Sequence, residues 1–336
     1  MKDSEPKIKS VPTNIITGFL GVGKTTLILY LLKQKPAEER WAVLVNEFGE
    51  IGIDGSIMQG KHSEDEGIFI REVPGGCMCC AAGLPMQIAL NQLLSRARPD
   101  RLLIEPTGLG HPKEVLEVLS AEHYKTVISL HRCITLVDAR KIADCRYTEH
   151  ETFNQQIDIA DIIIGHKTDL YNDRTRQDLK DYIQNRRAKS VPIRFIHKGN
   201  IDVALLNGAS TVVTSLKAQH HIHSNKSSSV SIHEQEIPEC GFLSIENTGE
   251  GYSSLGWRFS PNKIFDREAL FNWLSGLAVE RAKGVFITSE GVFGYNLTSD
   301  TMTELELDDC IESRLEIVFL VGHSVKEDAL FECLEN

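Results

Sequence analysis

The sequence predicts an α/β domain, a parallel sheet with helices on both faces, followed by a smaller α+β domain. Between Asn14 and about Leu205, short runs of branched apolar residues alternate with longer segments of helical periodicity. This alternation is typical of parallel strands joined by crossover helices. A glycine-rich stretch, GFLGVGKTT, stands between the first apolar run and the first helical segment. The length of 336 residues also favours two domains, at roughly 100 to 200 residues per domain.

Within the first domain, predicted to span residues 13–214 after a tail at 1–12, each element follows from local composition. Short apolar runs predict strands at Asn14–Ile16, Trp41–Val45, Arg101–Ile104, Arg132–Val137 and Asp161–Ile164. Apolar residues recurring three or four apart predict helices at Thr25–Lys33, Leu84–Ala97, Pro112–Ser120 and Arg174–Asn185.

Residues 215–239 are polar and serine-rich without hydrophobic periodicity, which predicts a linker between domains. Residues 240–336 then predict the α+β domain. Its expected strands are Phe242–Glu246, Trp257–Phe259, Val285–Ile287, Phe293–Leu297 and Leu315–Leu320, and its expected helices are Asp266–Ala282 and Val325–Leu334.

Composition excludes several classes of function. The net charge of -11 argues against a broad basic surface, so nucleic acid is not expected as a partner. The charged N-terminus lacks the apolar run of a secretory signal. No apolar run approaches the roughly 20 residues that span a bilayer. We therefore expect a soluble, cytoplasmic protein with no membrane partner.

Gly18, Gly23, Lys24 and Thr25 satisfy the pattern G-x-x-x-x-G-K-[ST]. In this pattern, glycines let backbone N–H groups converge on phosphates, the lysine neutralises the β and γ oxygens, and the hydroxyl ligates Mg²⁺. The pattern follows an apolar strand and opens an apolar helix, which predicts a P-loop. A glycine-rich turn with no ligand is the alternative.

An acidic residue near the magnesium ion is the second part that a P-loop enzyme requires. Glu105 ends the apolar run RLLIE and is the candidate. Gly108, three residues on, is a candidate for a backbone N–H donor to the γ-phosphate. A surface glutamate that merely ends a strand is the alternative for Glu105.

Lys167 and Asp169, in HKTD, resemble the [NT]-K-x-D element of GTPases. There the aspartate accepts hydrogen bonds from two guanine nitrogens and the lysine stem packs on the ring. Adenine cannot donate at that position, so GTP is preferred over ATP. His166 stands where GTPases usually have Asn or Thr, so selectivity for guanine is less firmly indicated.

Cys77, Cys79 and Cys80 are the clustered members of the eight cysteines. The preceding Pro-Gly-Gly indicates a loop, and adjacent cysteines are poorly placed for a disulfide. Thiolates select Zn²⁺, Cu⁺ or iron–sulfur clusters. Three thiolates leave one tetrahedral position open, which predicts a metal site with zinc preferred. A redox pair or buried thiols stay as alternatives, and the five scattered cysteines are expected to be small buried residues.

Four segments together, TGFLGVGKTT, VNEFGEIGIDG, PGGCMCC and LLIEPTGLGHP, resemble the CobW-type family of metal-handling P-loop GTPases. AAGLPMQ, GWRF and VERAKGVF are similar to its YeiR-like zinc-binding branch. The resemblance covers most of the chain, including the second domain. It implies a cytosolic GTPase with slow intrinsic hydrolysis, a C-x-C-C metal site and a metallochaperone role.

By position, the resemblance implies roles for particular residues. GTP phosphates would be held by Gly18 through Thr26, which includes Gly21, and the base by Lys167 and Asp169. Lys24, Thr25 and Glu105 would be catalytic, the last two through magnesium, with Gly108 as the sensor of the γ-phosphate. Zinc would bind the three clustered cysteines. Glu47 and Glu50, in NEFGE, are candidates for a switch near both metals, with a surface charge as the alternative for each.

The leading hypothesis is a GTPase that couples GTP binding and hydrolysis to zinc loading and transfer. Its cofactors would be GTP, Mg²⁺ and Zn²⁺, and its partner a metal-receiving client protein; assembly into a homo-oligomer is left open. A zinc buffer or sensor with incidental GTPase activity is the alternative, and a kinase with structural zinc is disfavoured. The linker histidines His220, His221, His223 and His233 are expected to be solvated, and His111 to be a loop histidine rather than a ligand.

Overall fold

The computed structural model describes most of the two predicted domains. The described residues are 8, 10–45, 66–73, 84–197, 199–211, 237–249, 251–307, 310 and 312–335. They fall into two compact units, the first containing the described residues up to 211 and the second, the C-terminal unit, those from 237 onward. The predicted linker lies almost wholly outside the described residues, so its boundaries stay a prediction.

Eight strands and six α-helices make up the described part of the first unit. The strands are β1 Val11–Gly18, β2 Trp41–Val45, β3 Ile68–Glu72, β4 Arg101–Glu105, β5 Ile128–Leu130, β6 Ile134–Asp138, β7 Ile162–His166 and β8 Ile193–Phe195. The helices are α1 Lys24–Lys33, α2 Leu84–Ala97, α3 Pro112–Leu119, α4 Cys145–Thr148, α5 Glu151–Asp158 and α6 Thr175–Arg186.

All strand pairings in this unit are parallel, which confirms the predicted fold class. The strand order is β3-β2-β4-β1-β6-β7-β8, and β5 pairs with the beginning of β1. Every residue of β2, β4, β6 and β7 is buried. Burial on both faces explains why these strands read as continuous apolar runs rather than as alternating ones.

Apolar residues cover both faces of the sheet. On one face Ile15 and Leu44 of the strands share a core with Leu90 of α2. Successive strand residues point to opposite faces, so the equally buried Ile16 and Val43 lie on the other face. There α1 contacts β1 and β4.

Five short elements of this unit carry no predicted counterpart, namely strands β3, β5 and β8 and helices α4 and α5. Two of them show why. Strand β3 joins the sheet at the edge next to β2, and helix α5 packs against β1. Each is a single short element whose periodicity extends over too few residues to separate it from a loop. Helix α5 lies beside the candidate site described below.

The C-terminal unit is built on a six-stranded antiparallel sheet with the order β13-β12-β11-β14-β10-β9. Its strands are β9 Phe242–Gly249, β10 Tyr252–Phe259, β11 Arg281–Thr288, β12 Gly291–Thr298, β13 Met302–Leu307 and β14 Ser313–Leu320. Its helices are α7 Arg267–Ser275 and α8 Glu327–Phe331. The arrangement confirms the predicted α+β class for this part of the chain.

The helix predicted over Asp266–Ala282 is too long. Asp266 caps α7 by accepting from the backbone N–H of Ala269 at 2.7 Å, and α7 ends at Ser275 with Gly276 as its C-cap. Residues from Arg281 onward instead form β11, which is paired on both sides by β12 and β14. Pairing in the sheet outweighs the local helical periodicity of these residues.

Aromatic rings fill the core of the C-terminal unit. Phe286 is fully buried and meets Phe265 and Tyr295 edge to face, with ring centroids 4.9 and 5.9 Å apart. Phe265 in turn meets Phe259 at 5.1 Å. Such pairs add to the free energy that area burial supplies, so this chain of rings joins β10, β11 and β12.

No helix within the described ranges is both long enough and apolar enough to cross a membrane.

Replacing Phe286 with Ala should lower the free energy of unfolding of the C-terminal unit by about 3–5 kcal/mol, because the change leaves a cavity among packed rings. Phe271→Ala is the matched control, since Phe271 on α7 is 40% exposed and its loss should cost under about 1 kcal/mol. Chemical denaturation followed by tryptophan fluorescence measures both. Equal midpoints for the two variants would contradict this account of the core.

Candidate functional site

The carboxyl ends of four neighbouring strands meet at one edge of the parallel sheet. Gly18 ends β1, Glu105 ends β4, Asp138 ends β6 and His166 ends β7. Strands β1 and β6 are neighbours, and the chain continues from β1 to β2 on one side but from β6 to β7 on the other. Crevices at such a switch point are where open α/β sheets bind ligands.

The loop between β1 and α1 has the geometry of a phosphate cradle. Gly23 caps α1 with φ 99°, in the left-handed region that favours glycine. The Lys24 side chain is 2% exposed, and its ammonium donates to the backbone oxygens of Gly18 at 3.1 Å and Phe19 at 3.5 Å. The loop therefore curves around its own lysine, at the N-terminus of a helix whose dipole favours anions.

Thr25 and Glu105 lie together beneath this loop. The Thr25 hydroxyl donates to Glu105 Oε1 at 3.3 Å, although 80 residues separate them in sequence. Glu105 is 3% exposed, and a buried carboxylate is costly unless it is paired or binds a cation. An alcohol and a carboxylate oxygen are ligands that suit Mg²⁺, so this pair fits the ion that the sequence predicts.

Gly108 brings the loop after β4 into direct contact with the phosphate cradle. A Cβ atom at this position would lie 2.9 Å from the backbone nitrogen of Leu20 and 3.0 Å from its Cα. Any side chain would therefore displace one of the two loops. The Gly108 carbonyl accepts a 2.9 Å hydrogen bond from Gln156 Nε2, so the loop is held from both sides.

Helices α4 and α5 hold the cradle from outside. Phe19, within the glycine-rich loop, packs edge to face on Tyr147, His150 and Phe153, with ring centroids 5.2, 4.8 and 5.9 Å apart. Gln156 of α5 is 1% exposed. One short helix thus touches both the cradle and the Gly108 loop. This helix was not predicted from the sequence, although Phe153, Gln156 and Ile157 have helical spacing.

The segment after β7 holds the predicted base contacts at the same edge. Lys167 adopts φ 59°, a left-handed conformation that costs a residue with a side chain about 1 kcal/mol and is typical of functional sites. Asp169 Oδ1 lies 2.9 Å from Nδ1 of His197. Both of these side chains are about half exposed, at 48% and 46%, so the carboxylate is accessible to a ligand.

His166 is buried between the cradle and the loop after β8. Its Nδ1 lies 2.8 Å from the Val22 carbonyl oxygen, and its Nε2 accepts the Gly199 backbone N–H at 3.1 Å. A carbonyl can only accept, so Nδ1 carries the proton and the ring is neutral. Burial lowers the pKa of His166 below its ordinary value.

The structure also describes three other residues considered from the sequence, Gly21, Thr26 and His111. Gly21 has φ 63° in the cradle, and Thr26 is exposed on α1. His111 caps α3, with Nδ1 3.2 Å from Gln155 Oε1, which agrees with a loop histidine. Outside the described residues lie Glu47, Glu50, Cys77, Cys79, Cys80 and the four linker histidines.

The scattered cysteines are only partly as expected. Cys133 and Cys333 are buried, and Cys310 is intermediate, but Cys145 and Cys240 are exposed. The expectation of five buried thiols is wrong for these two because Cys145 begins the short helix α4 and Cys240 precedes the edge strand β9. Within the ranges that the structure describes, no group of three or more metal-ligating side chains is placed to hold an ion.

Comparison with known proteins identifies relatives over both units. Residues 12–193 match the family model "CobW/HypB/UreG, nucleotide-binding domain". The chain is 39% identical over 313 residues to the zinc chaperone YeiR of Escherichia coli, covering 91% of this chain and 92% of the relative. It is 29% identical to the zinc chaperone CobW of a Sinorhizobium species, covering 59% and 62%.

Among solved structures, the Zn(II)-bound YjiA GTPase from Escherichia coli matches with a TM-score of 0.45 and 19% identity. The match covers 98% of this chain and 100% of that one.

Substituting Gly108 with Ala should weaken binding of a nucleoside triphosphate by about 5- to 100-fold, since overpacking costs about 1–3 kcal/mol. The added methyl would push the Gly108 loop away from the Leu20 backbone. Fluorescence titration with a triphosphate analogue measures the effect. Gly276→Ala is the control, because its Cβ would meet only ordinary contacts at 3.5 Å or more; equal affinities in the two variants would contradict the role of this contact.

Proposed function

The chain belongs to the CobW/HypB/UreG family, and from that premise we propose that it is a GTPase that couples GTP binding and hydrolysis to the loading and transfer of zinc. The observation that carries the proposal is the Thr25–Glu105 pair beneath the phosphate cradle, with Gly108 packed against Leu20. This is the arrangement of oxygen ligands and loop contacts that triphosphate hydrolysis requires.

The nucleotide phosphates are assigned to the cradle. Backbone N–H groups at Gly21 and Gly23 bind them, and Lys24, when a triphosphate is present, exchanges backbone carbonyls for phosphate oxygens. Thr25 and Glu105 hold Mg²⁺, which when bound neutralises charge on the phosphates. The proposal gives Gly108 the role of sensing the γ-phosphate, because a loop already seated on the cradle moves when that phosphate leaves.

The base is assigned to the segment after β7. The exposed Asp169 carboxylate accepts hydrogen bonds from two guanine nitrogens, and Lys167 packs along the ring. Adenine presents an acceptor where guanine donates, so it leaves the carboxylate unsatisfied. The 2.9 Å contact of Asp169 with His197 supports the proposal that this carboxylate accepts hydrogen bonds.

Zinc is the cargo in this proposal, held by Cys77, Cys79 and Cys80. The segment containing these cysteines follows β3, and the segment with Glu47 and Glu50 follows β2. In the sheet Val45 pairs with Glu72 on one side and with Glu105 on the other. The Cα atoms of Glu72 and Glu105 are therefore about 10 Å apart, which is two strand spacings.

This proximity supports coupling between the nucleotide and the zinc. Three successive connections, after β2, β3 and β4, leave the same edge of the sheet, and the third contacts the phosphate cradle. GTP would favour one arrangement of these connections, and that arrangement would bind zinc more tightly. Hydrolysis would then release zinc to a client protein that receives metal. Glu47 and Glu50 are proposed as the link because they follow β2 in the sequence, and β2 lies between β3 and β4 in the sheet.

Zinc affinity should be higher with a non-hydrolysable GTP analogue than with GDP, by the same factor by which zinc tightens binding of the analogue. Competition titration against a chromogenic zinc chelator measures the first quantity, and nucleotide titration with and without zinc measures the second. Equal zinc affinities in the two nucleotide states would leave a zinc buffer with incidental GTPase activity as the function.

Two sets of variants separate the cargo site from the nucleotide site in this experiment. The triple change of Cys77, Cys79 and Cys80 to Ser should remove one zinc ion per chain, whereas Cys145→Ser with Cys240→Ser, at exposed thiols, should not. Lys24→Ala should retain zinc binding but lose its dependence on nucleotide. Unchanged zinc stoichiometry in the triple variant would reject the cysteine site.

Asp169→Asn should weaken GDP binding by about 10- to 100-fold, the cost of losing charge-assisted hydrogen bonds. It should at the same time improve binding of xanthosine diphosphate, because the amide can donate to the carbonyl that xanthine has in place of the guanine amino group. Asp173→Asn, at an exposed aspartate nearby, is the control. No change in base preference would place the base elsewhere.

A further inference from the structure

Three separate parts of the nucleotide site meet at His166. The ring contacts Gly23 of the phosphate cradle so closely that a Cβ there would lie 2.6 Å from its Nδ1. Through Nδ1–H it donates to Val22 of the cradle, and through Nε2 it accepts from Gly199. The residue itself ends β7, directly before Lys167. It is therefore the junction between the phosphate cradle and the base-contact segment.

The Gly199 side of this junction is attached to the nucleotide-binding helix. A Cβ at Gly199 would lie 3.0 Å from the Thr26 carbonyl oxygen, and Asn200 accepts a hydrogen bond from the Tyr30 hydroxyl at 2.9 Å. Gln34 donates to the Ile201 carbonyl at 3.0 Å. The loop at 199–201 thus lies along α1, and His166 fixes its first residue to the end of β7.

The two hydrogen bonds can be made together only by the neutral ring. A protonated imidazole would place an N–H at Nε2, facing the N–H of Gly199, so one bond would become a repulsion between two donors. The ring is only 5% exposed, so water cannot easily replace the lost partner and the buried charge adds its own cost.

Burial is the main cause that lowers the pKa of His166, and the nearby Lys167 lowers it further. The hydrogen bond to Val22 and the carboxylates of Asp138 and Asp169 act in the opposite direction, but the net direction is downward. Those two carboxylates are engaged by Arg140 and His197 respectively. Among the described residues, the packed elements also carry Lys24, Tyr30 and Lys33 on α1, Arg194 on β8 and His197 in the loop after β8.

We propose that His166 is a positioning residue for the nucleotide, active only in its neutral form, so that nucleotide affinity falls when His166 takes up a proton. The proposal rests on the proposed GTP-binding function and adds a regulation to it. The histidine holds the cradle and the base-contact segment at a fixed separation, which is the separation that one nucleotide must span.

The sign of the pH dependence follows from the neutral requirement. Above the pKa of His166 the full affinity is present. Below it, binding must displace one proton, so affinity falls by up to about tenfold per pH unit. Because burial lowers this pKa from its ordinary value of 6.5, the loss of nucleotide affinity occurs below pH 6.5.

The test compares binding of a fluorescent GDP analogue to the full chain and to His166→Asn between pH 7.5 and 5.0. Asparagine offers an N–H for Val22 and does not titrate. The ratio of the affinities of the parent chain and the variant cancels the titration of the nucleotide itself. We expect that ratio to fall by about tenfold per pH unit at the acid end, and a constant ratio overturns the proposal.

Two control variants exclude other histidines. His123→Asn, at an exposed histidine of the segment 122–124, should keep the pH profile of the parent chain. His197→Asn removes the partner of Asp169 and should also keep the acid-side loss; if that variant alone abolishes it, His197 rather than His166 is the switch. Failure of the parent chain to bind GDP at pH 7.5 would instead reject the proposed function.

A measurement on the unmodified chain keeps the proposal testable should His166→Asn not fold. NMR titration of the histidine ring protons with and without GDP gives the pKa of His166 directly, with His166→Gln for assignment. Nucleotide binding should lower that pKa by linkage. An unchanged pKa on saturation with GDP overturns the proposal.

Discussion

The close approach of Gly108 to the backbone of Leu20 is the constraint on which the site depends. The phosphate-cradle loop and the loop after β4 meet where residue 108 has no side chain, so their backbones approach closely. Displacement of one must therefore displace the other, since packed interiors do not deform continuously. Neighbouring residues hold the two loops in place. Phe19 packs one loop against α4 and α5, and Gln156 donates a hydrogen bond to the other.

The parts of the site that are formed by residues close together in the sequence could be predicted from it. The phosphate cradle is local, because glycines, lysine and threonine must stand at set positions between a strand and a helix. Glu105 followed from the end of an apolar strand. Gln156 could not be predicted in this way, because its role is a hydrogen bond to Gly108, which is 48 residues away in the sequence. The same is true of the end of α7, which is set by the pairing of β11 with β12 and β14.

His166 shows how a departure from a sequence pattern can be resolved only in three dimensions. In the sequence it is a residue that differs from the usual Asn or Thr. In the fold, one ring nitrogen donates to a carbonyl on one loop and the other accepts an N–H from a second loop. The amide side chain of Asn also has one group that donates and one that accepts. The substitution therefore keeps the hydrogen-bonding capacity of the position and adds a group that titrates.

Helix α5 contacts both nucleotide loops from behind, through Phe153 and Gln156. Opening of those loops would remove these contacts and so lower the local free energy that protects the amides of the helix. Amide hydrogen exchange along residues 151–158 is consequently a gauge of turnover that needs no probe in the ligand pocket.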